Sequence, residues 1–263
     1  MTLPPLLHED DAVLAFAKTG GAPTTAGLIH AIQARHGRTV APAHRPEPET
    51  SGVWLFAKDK PSLDAISGQF QSKTVTIVAH GLAYVLPAAE LDSPETLHAR
   101  TGVATPLRDA SGLLPDNFTV ELCVGEHEDH AGRMTTYRKR GGKPALTTFR
   151  LLERFHDRNG RALVWVEASH STARGHQVRL HLAASGAPLL ADPLYGVPGA
   201  LLLSGLKRGY KGRDGERPLL DQLALHHSSL TLRHPSTREP LTLTSPLPHD
   251  LELALKNLRK FAA

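Results

Sequence analysis

The chain is short of several things, and each shortage excludes something. Among its 263 residues there is one cysteine, Cys123, so neither an intramolecular disulfide nor a cysteine-based zinc site can staple the fold. No uninterrupted apolar run approaches the roughly 18 to 20 residues that cross a bilayer. Met1 to Leu7 has no basic region or apolar stretch before the acidic His8-Glu9-Asp10-Asp11, so no secretory leader is read there, and a cytoplasmic, soluble, monomeric chain is expected. Charge of one sign is not dominant: 30 Lys plus Arg face 26 Asp plus Glu for a net +4, a balance that permits an anionic partner without requiring one. No repeat recurs at solenoid periods. The Gly-x-Ser-x-Gly, Walker and Gly-x-Gly-x-x-Gly signatures are all missing, which argues against a serine-hydrolase elbow, a phosphate-cradling loop and a dinucleotide fold.

What is present alternates short strands and helices. Leu6 to Lys18 is an acidic turn followed by an apolar run of buried-strand length, and Thr24 to His36 carries helical spacing up to Gly37. Pro42, Pro46 and Pro48 make His44 to Glu49 a loop. Val53 to Ala57 reads as a strand, Lys60 to Gln71 as a helix with Pro61 in its first turn, and Thr74 to Ala79 as a β-branched strand. The stretch 88–117 is rich in Pro, Gly, Asp and Ser and is expected to be an irregular connection. Thr147 to Phe155 and Ala162 to Ala168 flank an Asn159-Gly160 hairpin signal. Gln177 to Ser185 is expected to be a helix ended by Gly186, Lys207 to Arg217 a surface loop, Leu230 to Arg233 and Leu241 to Thr244 a strand pair, and Asp250 to Phe261 a closing helix. Without regular βαβ alternation, the class expected is α+β with much antiparallel sheet.

Four constellations carry candidate chemistry. In His44-Arg45-Pro46-Glu47-Pro48-Glu49-Thr50-Ser51-Gly52, a stiffened loop offers an Arg and a carboxylate ahead of a buried strand, a general base or nucleophile set against the simpler reading of a solvated polar loop. Thr172 to His181 places Arg174, His176, Gln177 and Arg179 at a helix start, which suits a phosphate or else simply exposes a polar face. Arg133, Arg138-Lys139-Arg140 and Lys143 surround Tyr137, a cation and aromatic mixture able to hold a nucleic-acid backbone or to be a solvated loop. His127-Glu128-Asp129-His130 has metal-ligand residue types, but Gly125 and Gly132 bracket a loop there rather than the helix that would converge two imidazoles; no metal is expected.

Five blocks in order resemble the RluA type of RNA pseudouridine synthase: Leu7 to Gly21, His44 to Gly52, Gly142 to Phe149, Thr172 to Gly196 and Leu225 to Pro235. The active-site loop His-Arg-Leu-Asp-x-x-Thr-Ser-Gly is matched by His44 to Gly52, and Thr-Gly-Arg-Thr-His-Gln-Ile-Arg by Thr172 to Arg179. The resemblance implies a mixed, mostly antiparallel curved sheet in two packed halves with a central cleft, forming a single catalytic domain over 1–263 with no appended N-terminal RNA-binding domain. It implies that a uridine in rRNA or tRNA is flipped out, its glycosidic bond broken, and C5 joined to C1′, with no cofactor and no membrane involved. Glu47, Arg45 and Arg179 would be catalytic, Arg179 pairing with the carboxylate. His44, Thr50, Ser51, Val75, Arg174, His176 and Gln177 would bind substrate, and Arg138, Lys139, Arg140 and Lys143 the RNA backbone, helped by Lys207 to Arg217. The sequence departs from the pattern at several positions: Glu47 stands where the family has Asp, Val75 where it has a pocket Tyr, Pro46 where it has Leu, and Ala173 and Gly175 alter the Thr-Gly-Arg-Thr turn. A relative that binds RNA without catalysis is therefore the alternative.

Overall fold

The computed structural model describes residues 2–21, 26–91, 102, 106–136, 141–196, 200–212 and 214–262. The chain divides into two compact units. The first comprises residues 1–79, 169–173 and 226–248, and the second 80–168, 174–225 and 249–263.

In the first unit the strands β1 (Leu6–Glu9), β2 (Val13–Lys18), β4 (Ser51–Ala57) and β10 (Leu225–Arg233) are neighbours in that order, with β3 (Ala41–Pro42) on β4 and β11 (Pro240–Thr244) on β10. The β2 to β4 ladder is antiparallel from Val13 opposite Ala57 to Lys18 opposite Gly52. By contrast β4 and β10 run parallel, with Ser51 opposite His226. Successive strand residues point to opposite faces, and here both faces are covered. Val13, Ala15, Val53, Leu55 and Ala57 pack with Ile66 of α2 (Lys60–Gln71), whereas Leu14, Phe16, Trp54 and Phe56 pack with Leu28 and Ile32 of α1 (Ala26–His36). Burial on both sides is why these strands read as unbroken apolar runs rather than alternating ones. α2 has the boundaries expected because Asp59 caps it, accepting from Ser62 N at 2.7 Å, with Pro61 in the first turn where no N–H is needed.

The second unit orders β5 (Thr76–Tyr84), β9 (Ala162–His170), β8 (Lys143–His156), β6 (Asn117–Glu126) and β7 (Met134–Thr135) as neighbours; β5 and β9 each have an end in the first unit. Sequence alone left β6 unassigned, although Phe118 and Val120 are buried between exposed Asn117, Thr119 and Glu121. That alternation pairs β6 with β8 from Asn117 opposite Arg150 to Val124 opposite Lys143, so β8 starts four residues before the expected Thr147. One further boundary is corrected: β5 continues past Ala79 to Tyr84. The stretch 88–117 opens with a short helix, α3 (Ala88–Leu91), and closes at the start of β6; most of what lies between α3 and residue 106 falls outside the described residues. The β8 to β9 connection does use Asn159-Gly160, within a longer turn organised by Asp157, whose Oδ1 accepts from Asn159 N and Arg161 N, both at 2.9 Å.

Three helices remain among the described residues: α4 (Gln177–Ala184), α5 (Leu203–Leu206) and α6 (His249–Phe261). α4 is buried along its whole length. Gly186, at φ +77°, ends it as expected of a left-handed C′ residue, and Arg108 donates to the carbonyls of Ser185 and Gly186, a cation at the negative end of the helix dipole. The α+β class with mixed, mostly antiparallel pairing is what the structure shows. No helix among the described residues is long and apolar enough to cross a membrane.

Candidate active site

In the first unit, the loop between β3 and β4 carries the carboxylate. Residues 47–50 form a turn in which Glu47 O accepts from Thr50 N at 3.3 Å and from Thr50 Oγ1 at 3.1 Å. Pro48 holds the second turn position, where its fixed φ is preferred, so it stiffens the turn that bears Glu47. Thr50 is fully buried, its hydroxyl engaged with the loop. Ser51 Oγ lies 2.9 Å from His226 Nδ1, and His226 Nε2 lies 3.1 Å from Ser245 O. A carbonyl can only accept, so His226 donates to it through Nε2–H. Gly52 has φ +125°, and a Cβ there would stand 2.1 Å from His227 O. Only glycine lets β4 and β10 approach so closely. Each member of Thr50-Ser51-Gly52 thus fixes the path of the loop into the sheet. Arg45 is exposed and Glu47 half-buried. His44 stacks on Phe70 with ring centroids 5.8 Å apart, and burial pushes its pKa down to about 4, leaving it neutral near pH 7. Val75 is 1% exposed and belongs to the core cluster with Val53, Leu55 and Ile77.

Lys18, the last residue of β2, was not among the expected site residues. It is 3% exposed. Its ammonium donates to Thr50 O at 2.5 Å, Pro48 O at 2.7 Å and Thr19 O at 3.1 Å, clamping the turn from below. Burial pushes its pKa down to about 8, against the attraction of Glu49 and Glu47, which raises it. The only signal in the sequence was its place in the Lys18-Thr19-Gly20-Gly21 segment. Two further imidazoles lie nearby. His170 Nδ1 is 2.7 Å from Thr172 O and its ring 6.5 Å from that of His227. Burial first, and then the neighbouring His170, His44, His226 and Lys18, push the His227 pKa down to about 3.

In the second unit, Arg174, His176, Gln177 and Arg179 converge at the start of α4. His176 is its N-cap, in the left-handed region at φ +56°, with Nδ1 2.8 Å from Tyr195 Oη. Gln177 is buried and donates through Nε2 to Thr147 Oγ1 at 2.9 Å and Leu146 O at 3.1 Å, tying α4 to β8. Arg179 is fully buried and forms a two-pronged pair with Asp192, Nε to Oδ2 at 2.8 Å and Nη2 to Oδ1 at 2.7 Å. Planar pairing of this kind fixes orientation as well as charge. Asp192 was quoted in the Asp-Pro-Leu-Tyr-Gly segment but given no role. Its Oδ1 also accepts from Leu194 N at 2.9 Å and Tyr195 N at 3.2 Å. Asp192 takes one edge of the guanidinium, Nε with Nη2, and Nη1 forms the other side of the fork.

Tyr195 completes this group. Its ring lies between two guanidinium groups, Arg133 at 5.5 Å and Arg179 at 5.3 Å. Its hydroxyl accepts from Met134 N at 2.7 Å, and burial pushes its pKa up to about 12. A Cβ on Gly196 would meet Leu189 O at 2.5 Å and Asp192 O at 2.6 Å, which explains the glycine ending that segment. Of the expected backbone cations, Lys143 is exposed at the first position of β8, whereas Arg138, Lys139 and Arg140 lie outside the described residues. His127 and His130 pack their rings 4.7 Å apart in the turn between β6 and β7.

A family described as RNA pseudouridylate synthase matches residues 24–184. The chain is similar to ribosomal large subunit pseudouridine synthase D of Neisseria meningitidis serogroup B, at 26% identity over 97% of this chain and 61% of the relative. It is 29% identical to the protein of the same name from Nitrosomonas europaea, over 97% of this chain and 65% of that one. Ribosomal large subunit pseudouridine synthase C of Vibrio vulnificus is 27% identical over 97% and 69%. The chain therefore spans between 61 and 69% of the length of these curated relatives. Among solved structures, human RNA pseudouridylate synthase domain containing 1 superposes with a TM-score of 0.66 at 20% identity, covering 96% of this chain and 87% of that one. At that identity the likeness is one of fold.

Proposed function

The chain belongs to the RNA pseudouridylate synthase family, and from that premise we propose that it isomerises uridine to pseudouridine in structured RNA, with Glu47 as the reacting carboxylate. The observation that carries the proposal is the turn at 47–50, clamped by a buried lysine so that a carboxylate stands on a rigid loop at the head of β4. The names of the relatives make ribosomal RNA the first substrate to try and transfer RNA the second. Action as a monomer in the cytoplasm is part of the same reading.

The target uridine must leave its stack, at a cost of a few kcal/mol. Arg45, exposed and two residues before Glu47, would occupy the gap or grip the adjoining phosphate. The N1 to C1′ bond then breaks, the base turns while held, and C5 bonds to C1′. C5 loses its hydrogen as a proton and N1 gains one, so the isomerisation balances without an oxidant, reductant or second substrate. Arg179, locked by Asp192, is the third member of the proposed catalytic set. Lys143 and the segment 138–140 would neutralise phosphates.

The test is tritium release from RNA carrying [5-³H]uracil, since forming the C5 to C1′ bond expels that hydrogen. Release by the natural protein that disappears in Glu47→Ala establishes the synthase. Silence from the natural protein, with release restored by Glu47→Asp, makes it an RNA-binding relative whose carboxylate is one methylene too long, an offset of about 1 Å that can cost on the order of 100-fold.

A further inference from the structure

At the end of the second unit away from α4, the structure gathers cations from three separate segments onto one surface. Arg158, in the β8 to β9 turn, donates through Nη1 to Ser204 O at 2.7 Å and Tyr210 O at 3.4 Å. Lys207, just after α5, lies over the Tyr210 ring at 5.9 Å and the Phe261 ring at 5.6 Å, and Lys260 of α6 lies over Phe261 at 5.3 Å. Arg208 and Lys211 flank Tyr210, and all five cations are exposed. The nearby acids are fewer: Glu216, whose Oε1 accepts from Ser204 N at 2.9 Å, exposed Asp214, and Asp157, which is buried and paired with Arg161. Glu153 is paired with Arg259. The aromatic rings are engaged with ammonium groups, so they fix lysine positions rather than offer faces for bases. Such a surface suits a repeating anion read without regard to sequence.

We propose that Arg158, Lys207, Arg208, Lys211 and Lys260, braced by Tyr210 and Phe261, form a second RNA-backbone contact remote from the α4 cluster. Its distance follows from β8. Gln177 is bonded at Thr147 and the C-terminal segment at His156, where His156 N donates to Ala262 O at 2.7 Å, and nine strand residues span about 30 Å. An RNA held at both places must extend well beyond the target nucleotide, which makes structured RNA the substrate class. This inference rests on the RNA reading above.

The experiment compares the natural protein with the triple variant Lys207→Ala, Lys211→Ala, Lys260→Ala, all exposed positions, on a ribosomal RNA stem-loop carrying [5-³H]uracil. The expected result is a Kd raised about ten-fold or more near 0.1 M salt, a slope of log K against log salt reduced by about one per lysine, and a KM for tritium release that rises in step with the Kd. Tyr210→Leu keeps every charge, so its slope should stay the same while affinity falls a few-fold. An active natural protein whose triple variant keeps the same Kd and slope overturns this proposal alone and assigns the patch to another anion. A natural protein that neither binds the stem-loop nor releases tritium overturns the proposed function and this inference with it.

Discussion

Replacing Lys18 by Met isolates what the buried clamp does. The methionine side chain has similar reach and no charge, so it removes the donors to Pro48 O and Thr50 O while filling the space. Two opposing contributions follow. Leaving the buried Thr50 carbonyl and the part-buried Pro48 carbonyl without their donor costs about 1 to 3 kcal/mol each, less for the second. Against that, the fall of the Lys18 pKa from 10.5 to about 8 means that holding the charged form in the fold costs about 3 kcal/mol at 1.4 kcal/mol per unit, and Met relieves it. The two nearly offset, so stability measured by urea unfolding should change by no more than about 1 to 2 kcal/mol. Catalysis has no such compensation. With the turn released, a drift of Glu47 by about 1 Å lowers kcat on the order of 100-fold. The natural protein carries its own control. Lys18 keeps its proton up to about pH 8 when folded and to about 10.5 when unfolded, so the unfolded state binds more protons in that window and stability rises with pH. The clamp meanwhile loses its charge and one of its three N–H donors, so activity should fall above pH 8 as stability climbs. The methionine variant should show neither trend. Full kcat in Lys18→Met, or a loss of stability above about 4 kcal/mol, would refute this reasoning.

Gly52→Ala should be severely destabilising, because its methyl would stand 2.1 Å from His227 O at a φ of +125°; overpacking and left-handed strain together come to about 2 to 5 kcal/mol, and an unchanged urea midpoint would show that β4 and β10 can separate at no cost. His44 titrates near pH 4 when folded against 6.5 for the exposed group, so between those values the unfolded state takes up the proton first and stability falls as pH drops, by about 2 to 3 kcal/mol. His44→Phe, which keeps a ring against Phe70, should flatten that part of the acid-unfolding profile; a profile identical to that of the natural protein would place the titration elsewhere.

Local features were the readable ones. Pro61 in the first turn helped place α2 at Lys60 to Gln71, Gly186 located the end of α4, and the proline spacing from Pro42 to Pro48 located the candidate loop. Each is written within a few residues of the element it governs. β6 carried a legible alternation from Phe118 to Val124, but its identity as a strand is secured by pairing with β8 more than twenty residues later. Val75 aligned with a pocket residue, yet it lies in the core. Apart from its place in the Lys18-Thr19-Gly20-Gly21 segment, Lys18 gave no sign of its role, since a lysine at a strand end ordinarily reaches water, and the two carbonyls of the turn that it serves are 30 and 32 residues away.

By itself, then, the sequence determined the α+β class, the position of most elements, the family-like loop with Glu47 and the helix start with Arg174 to Arg179, because periodicity, caps and motif spacing are relations between near neighbours in the chain. Tertiary structure alone decided that Lys18 is a buried clamp, that His44 and His227 stay neutral, that Arg179 is braced by Asp192, and that Lys207 and Lys260 meet at Phe261. Desolvation and ion pairing depend on which distant segments exclude water from a group, and that is settled only when the chain is folded.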